Sequence, residues 1–274
     1  MIKSVPSDDI EFELLLEAIW QKYGYDFRNY ARSSLRRRLD AFLQKCSLPS
    51  FSHLQYRILR DHNFFERALD EITVRTTEMF RDSFFFSALR DDVLPILQTY
   101  PSINIWHAGC STGDEVYSLA ILLKEAGLYE RSTIYATDIN PVVLQTAKDA
   151  KYPLSKIKEM TKAYQMAGGK LPFSEYYTCK DDTASLNPEI KKNVVFSTHN
   201  LATDEAFIDA QLVICRNVLI YFDRVLQDRV VSLMTRSLSH RGFLCLGSKE
   251  SVSFLKAKVQ LEPFSKDAKI YRRI

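Results

Sequence analysis

The sequence predicts an α/β protein, a mostly parallel sheet with helices on both faces, preceded by a small all-helical domain. Three observations predict this. The first 108 residues hold one glycine, Gly24, and long helical stretches tolerate glycine poorly. After Pro101, apolar strand-like runs alternate with helical ones, the mark of βαβ units with right-handed crossovers. The chain is 46% hydrophobic and 26% charged over 274 residues, the balance of an ordinary soluble globular protein with material for a sizeable core.

In the helical part, "DIEFELLLEAIWQKYG" places Ile10, Leu14 and Ile19 near the helical period, and Gly24 stops the run. "ARSSLRRRLDAFLQKCSL" carries Leu35, Leu39, Phe42 and Leu43 on one stripe and ends before Pro49. "SFSHLQYRIL" opens on serines suited to capping. "DHNFFERALDEITVR" and "DSFFFSALRDDVLPILQTY" follow as helices. In the second part, "INIWHAGC", "STIYATDIN", "NVVFSTHNL", "AQLVICRN", "GFLCLGSKES" and "KAKVQLEPFSKDAKIYRRI" read as strands. "GDEVYSLAILLKEAG", "PVVLQTAKDA" and "DRVLQDRVVSLMTRSL" read as helices, the second with Pro141 in its first turn. Domains are thus expected over 1–95 and 96–274, with a small β-rich insertion over about 151–193.

Several classes are excluded. No apolar run approaches the ~20 residues of a membrane span. The acid-broken start "MIKSVPSDDIEFELLLEAIW" is unlike a secretory signal. Five scattered cysteines without a CxxC pair suggest neither a disulfide framework nor a zinc site, so a reducing cytoplasm is expected. The histidines His107 and His199 lack a ligand cluster and read as structural, and Cys110 and Cys215 as small buried fillers.

The chemistry concentrates in "IWHAGCSTGDEVYSLA". A dinucleotide loop would read G-x-G-x-x-G and a phosphate loop would end G-K-[ST]. Here Gly109 and Gly113 are followed by Asp114 and Glu115, which would repel a pyrophosphate and attract a cation. The second strand ends in Asp138, the usual place of a ribose acceptor. An adenosine with a cationic, phosphate-free tail meets these demands, namely S-adenosyl-L-methionine, leaving S-adenosyl-L-homocysteine as product. The alternative is a generic α/β turn whose acids complement the helix dipole.

These residues resemble the CheR-type chemotaxis receptor methyltransferases. The likeness runs through "TEMFRDSFFFSALRDDVLPIL", "HAGCSTGDEVYSLAILL", "ATDIN", "FSTHNL", "VICRNVLIYFD" with Gln227, and "GFLCLGSKES". It implies a Rossmann-like methyltransferase domain acting on glutamate side chains of cytoplasmic chemoreceptor helices. It implies cofactor contacts from Thr77, Arg81, Glu115, Asp138, Asn200, Leu201, Arg216 and Asn217, with Arg81 and Tyr221 near the transferred methyl. Arg75 stands where the family often has Asn. A glutamate carboxylate is already ionised at neutral pH, so Arg81 is expected to orient rather than to act as a base. The bland alternatives are an inter-domain ion pair for Arg81, a core aromatic for Tyr221 and a helix cap for Asn217.

Arg28, Arg32 and Arg36 recur every four residues, with Arg37 and Arg38 beside them and no acid between 28 and 38. On one helix face they would suit an acidic helical partner, and the resemblance points to chemoreceptor signalling domains. A solvated face and phosphate binding remain the alternatives, although no nucleic-acid module is present. The insertion resembles one that binds a receptor tether peptide by strand addition in some relatives. A methyltransferase for RNA or small molecules, and a non-catalytic module that senses the cofactor, are the competing functions.

Overall fold

The computed structural model describes residues 6–74 and 77–274, so Arg75 lies outside the described residues. Four helices come first: α1 (Ser7–Tyr23), α2 (Arg32–Lys45), α3 (Phe51–Arg60) and α4 (His62–Ile72). Leu35, Leu39, Phe42 and Leu43 of α2 are buried, as the stripe predicts. On α1 the stripe is displaced. Phe12, Leu15, Leu16 and Ile19 face inward, with Phe12 edge-on to Phe51 at 5.4 Å, while Ile10 and Leu14 are exposed. An apolar-rich helix offers two such stripes, and packing against α3 selects between them.

Gly24, at φ 77°, closes α1 by donating its N–H to the Trp20 carbonyl. Ser50 does not cap α3. Its hydroxyl lies 3.2 Å from His53 Nδ1, and Glu11 of α1 accepts from the Ser52 N–H instead, at 3.0 Å. Asp61 caps α4 by accepting from the Phe64 N–H. The next helix, α5 (Ser83–Ala88), passes through a π turn at Leu89–Val93 into α6 (Leu94–Leu97).

The second part alternates β1 (Ile103–Ala108), α7 (Asp114–Glu125), β2 (Ser132–Asp138) and α8 (Pro141–Asp149). A side sheet follows from β3 (Lys151–Pro153), β4 (Tyr177–Lys180) and β5 (Thr183–Leu186), with α9 (Leu154–Met166) between its first two strands. The chain returns through α10 (Pro188–Lys191), β6 (Val194–Thr198), β7 (Ala210–Cys215), α11 (Arg224–Ser237), β8 (Leu238–Leu246), β9 (Leu261–Ser265) and β10 (Ile270–Arg273). The main sheet has the order β6-β2-β1-β7-β8-β10-β9, its first five strands parallel and β10 antiparallel to both neighbours. The fold is therefore a Rossmann-like α/β architecture behind an all-helical region.

Alternation along the strands gives the sheet two buried faces. Ile105, Leu212, Ile214 and Phe243 pack with α5, α6 and α7 on one side. Val213, Cys215, Leu244 and Trp106 pack with α11 and the four N-terminal helices on the other. The segment expected to be β-rich contains the 13-residue helix α9 beside its short strands. Glu125 of α7 anchors it by accepting from the Tyr164 and Tyr176 hydroxyls and the Lys170 N–H. Among the described residues no helix is long and apolar enough to cross a membrane.

Asp114 opens α7 almost fully buried, held by the Thr112 hydroxyl at 2.7 Å, and burial raises its pKa to about 6 from 3.8. A carboxyl raised in the folded state contributes stability that is complete below its unfolded value and is lost as pH climbs through the folded one. Asp114→Asn should therefore be neutral below pH 4 and gain stability through pH 4–6, reaching ~3 kcal/mol above pH 7. Denaturant unfolding at several pH values checks this, and a gain independent of pH contradicts it.

Candidate functional site

The carboxyl ends of β1, β2, β6 and β7 open into one crevice, where the strand order reverses between β1 and β7. Its floor starts with the loop after β1. Gly109 takes φ 71°, and a Cβ there would stand 2.5 Å from Val218 Cγ2. At Gly113 the space is taken by Ala147, 2.9 Å from such a Cβ. Both glycines thus make room for the protein's own side chains, Val218 and Ala147, and Gly109 also lines the crevice. Ser111 follows at φ 50° and donates its N–H to Asp138 Oδ2 at 2.9 Å, fixing the loop to the end of β2.

Asp138 also accepts from the Asn140 N–H at 3.0 Å, so both oxygens are oriented by backbone. Burial pushes its carboxyl up, and these N–H groups offset part of that. Glu115, in the first turn of α7, is buried and lines the crevice. Its Oε2 pairs with Arg216 Nη1, and His107 Nε2 stands 3.2 Å from Oε1. Burial alone would raise the Glu115 carboxyl, but Arg216 and His107 hold it below the ordinary value. Arg216 continues to Asp82 Oδ2 at 2.5 Å and sits 4.0 Å over the Phe85 ring. Of the two acids expected to attract a cation, Glu115 faces the crevice and Asp114 does not line it. The first turn of a helix points successive residues about 100° apart, which separates them.

The loop after β7 carries Asn217 at φ 60°, and its N–H is held by Glu250 Oε2 at 3.0 Å. The same buried carboxylate accepts from Gly247 and Ile220, at 2.6 and 3.3 Å. Asn217 is therefore no helix cap; that role on α11 belongs to Asp223, which accepts from the Leu226 N–H. Tyr221 lines the crevice, and its carbonyl accepts from Ala31 at 2.8 Å.

Most of the residues expected at the site meet here: Thr77, Arg81, Glu115, Asp138, Leu201, Arg216, Asn217 and Tyr221 all line the crevice. Asn200 does not line it. Its side chain accepts from the Ala202 N–H at 3.0 Å and its N–H is taken by Asp204, so it serves its own turn. His199 and Leu201, on either side, face the crevice instead. Arg81 has no ion-pair partner among the described residues.

The arginines expected on one face separate. Arg28 precedes α2 and pairs with Asp26 and Glu17 at 2.8 and 3.0 Å. Arg32 pairs with Glu13, and Arg36 with Asp8 and Asp9. Arg37 points to solvent. Arg38 turns into the crevice, 5.3 Å over the Tyr221 ring, with Nε buried and unpartnered and burial lowering its pKa. Tyr30, Ile72 and Thr73 complete that wall. The sequence placed Arg38 on a partner-binding face and read His107 as structural; their place in the crevice, like those of Tyr30, Ile72 and Thr73 and the role of Glu250, depends on packing that brings distant segments together.

The donor set fits an adenosine carrying positive charge: Asp138 and Glu115 bring carboxylates to the crevice, and Ile139 and Leu201 add apolar side chains to its lining. Among the described residues no group of three His, Cys, Asp or Glu could hold a metal. Comparison with known proteins agrees. Residues 75–268 match the CheR methyltransferase SAM-binding domain, and residues 10–73 the CheR methyltransferase all-alpha domain. A Pseudomonas putida protein named as a methyltransferase, Cher3, is 50% identical over 97% of both chains. Chemotaxis protein methyltransferases of Listeria monocytogenes and Vibrio parahaemolyticus are 26% and 30% identical, over 90% and 83% of this chain and 92% and 84% of their own. A match of this extent, laid over a crevice whose charges suit the same ligand, leaves one conclusion: the chain belongs to the CheR methyltransferase family and is an S-adenosylmethionine-binding enzyme of the methyltransferase type.

Proposed function

We propose that this enzyme works in the cytoplasm and methylates glutamate side chains on the cytoplasmic helices of chemoreceptors, giving methyl esters for chemosensory adaptation. The observation that carries this reading is Arg38. It is an arginine of the helical region, turned into the cofactor crevice beside Tyr221 and without a carboxylate partner among the described residues. A half-buried guanidinium whose Nε is enclosed and unpartnered suits a carboxylate substrate. The chemotaxis protein methyltransferases among the relatives support the receptor as its source.

Bound S-adenosylmethionine would supply an electrophilic methyl to a carboxylate oxygen, and since that carboxylate is ionised at neutral pH no residue of this chain would be needed as a base. The residues of this chain bind and align. Asp138 would accept the ribose hydroxyls and Glu115 the ammonium, with Thr77, Leu201, Arg216 and Asn217 completing the grip. Arg38 and Arg81 would hold the substrate oxygen that does not attack, because a clamp on the attacking oxygen would blunt it. Tyr221 would pack against the reacting centre, and the apolar wall would strip water from the carboxylate.

Docking differs from the stripe reading. Arg28, Arg32 and Arg36 are already neutralised by the acids of α1 and the Asp26 turn, which leaves little for a nucleic-acid backbone. Arg37 and Arg38 remain to meet a receptor helix.

Incubation with radiolabelled cofactor and a receptor signalling fragment should place label on glutamate as a mild-base-labile ester. Label that survives base would refute the carboxylate acceptor. Glu115→Gln and Asp138→Ala should each weaken S-adenosylhomocysteine binding about 10- to 100-fold, the loss of one charged hydrogen bond; unchanged affinity removes the respective contact. Arg38→Ala should leave cofactor affinity intact and lower kcat/KM for the receptor fragment ~10- to 100-fold. Unaltered turnover in that variant would remove Arg38 from the substrate wall.

A further inference from the structure

His107, the penultimate residue of β1, lines the crevice with the two carboxylates proposed for the cofactor. It is 3% exposed. Its Nε2 lies 3.2 Å from Glu115 Oε1, on the oxygen that Arg216 leaves free, and its charge acts on Asp138. Neither ring nitrogen has an aligned hydrogen-bond partner, an arrangement that costs stability at such depth. An apolar residue would fill this position in the sheet at no such cost, so the imidazole is there for its charge or its polarity.

We propose that His107 is a positioning residue for the cofactor: it steadies Glu115 from the side opposite Arg216, and its protonation withdraws that carboxylate from the ligand, so that S-adenosylmethionine binds the neutral-imidazole form. The proposal rests on the placement of the ammonium at Glu115 made above. With a neutral imidazole, Glu115 answers to one guanidinium, which is itself shared with Asp82, and keeps negative potential for a cation. An imidazolium at 3.2 Å adds a second positive charge in the same dry pocket. It then competes with the ammonium for Oε1 and repels a ligand that carries a sulfonium as well.

The other ionisable groups around the imidazole are Glu115 on α7, Asp138 on β2, His199 beyond β6, and the Cys110 and Cys215 thiols. Arg216 adjoins it, and Tyr30, Arg38 and Arg81 face it across the crevice. Burial pushes both thiols upward and also raises the Asp138 carboxyl, against which its backbone N–H partners act.

The test is calorimetric titration of the full chain with S-adenosylmethionine from pH 8 to pH 6, in two buffers of different ionisation enthalpy. Wild-type Kd should rise roughly tenfold on acidification, with close to one proton released per cofactor bound at pH 6. His107→Gln keeps an N–H donor without the titration. It should lose most of the rise and of the proton release, whereas His199→Gln should keep both. A flat wild-type profile, or a His107→Gln variant that retains the slope, overturns the proposal. If the glutamine variant does not fold, His107→Asn gives the same comparison. Failure here with Glu115→Gln still weakened leaves the ammonium contact standing; unchanged affinity in Glu115→Gln removes that contact itself.

Discussion

The site depends on one buried guanidinium. Arg216, with a side chain 1% exposed, ties three separate segments: Glu115 at the start of α7, Asp82 ahead of α5, and its own loop after β7. Removing either partner would strand a charge in a dry interior, which is far costlier than exchanging an exposed pair. The segment it captures is itself strained. Phe80 and Asp82 adopt φ 52° and 56°, a region unfavourable to side chains, and persist because the Ser118 hydroxyl holds the Phe80 N–H while Arg216 holds Asp82. Through that segment Thr77 and Arg81 reach the crevice.

The helical region is a wall of the same crevice rather than an appendage. Its core is continuous with one sheet face, where Tyr30 meets Phe222 edge-on at 4.9 Å. Backbone bonds join it to the loop after β7: Ala31 donates to the Tyr221 carbonyl and Asp223 donates to Asn29, each at 2.8 Å. Asn140 at the head of α8 donates to Thr73 at 2.9 Å, closing the opposite end. With these ties Arg38 and Tyr221 are held against the crevice that Glu115 and Asp138 also line. Methyl transfer needs alignment, and such fixed geometry favours it.

Charge follows the same division of labour. The acids of α1 consume most of the arginines that precede and open α2, and such exposed pairs contribute little to stability. Their effect is selective: they cancel a broad basic surface and leave Arg37 and Arg38 without an ion-pair partner among the described residues. Inside, Glu115 and Asp138 share the crevice with Arg38, Arg81 and Arg216, so it offers carboxylates to a cation and guanidinium groups to an anion.

The sequence alone determined the α/β fold behind a helical region, because glycine scarcity, strand periodicity and the turn residues act locally. It also marked Glu115 and Asp138, one in a helix's first turn and one at a strand's end, while Arg216 and Tyr221 were marked only by the family resemblance. Tertiary structure decided the rest. Only packing against α3 chose the buried stripe of α1, only the helical twist parted Asp114 from Glu115, and only the closing of the Asn200 turn sent that side chain away from the crevice. The roles of Arg38, His107 and Glu250 depend on neighbours more than 30 residues away, or on a cavity several elements must enclose, and no local pattern encodes such meetings.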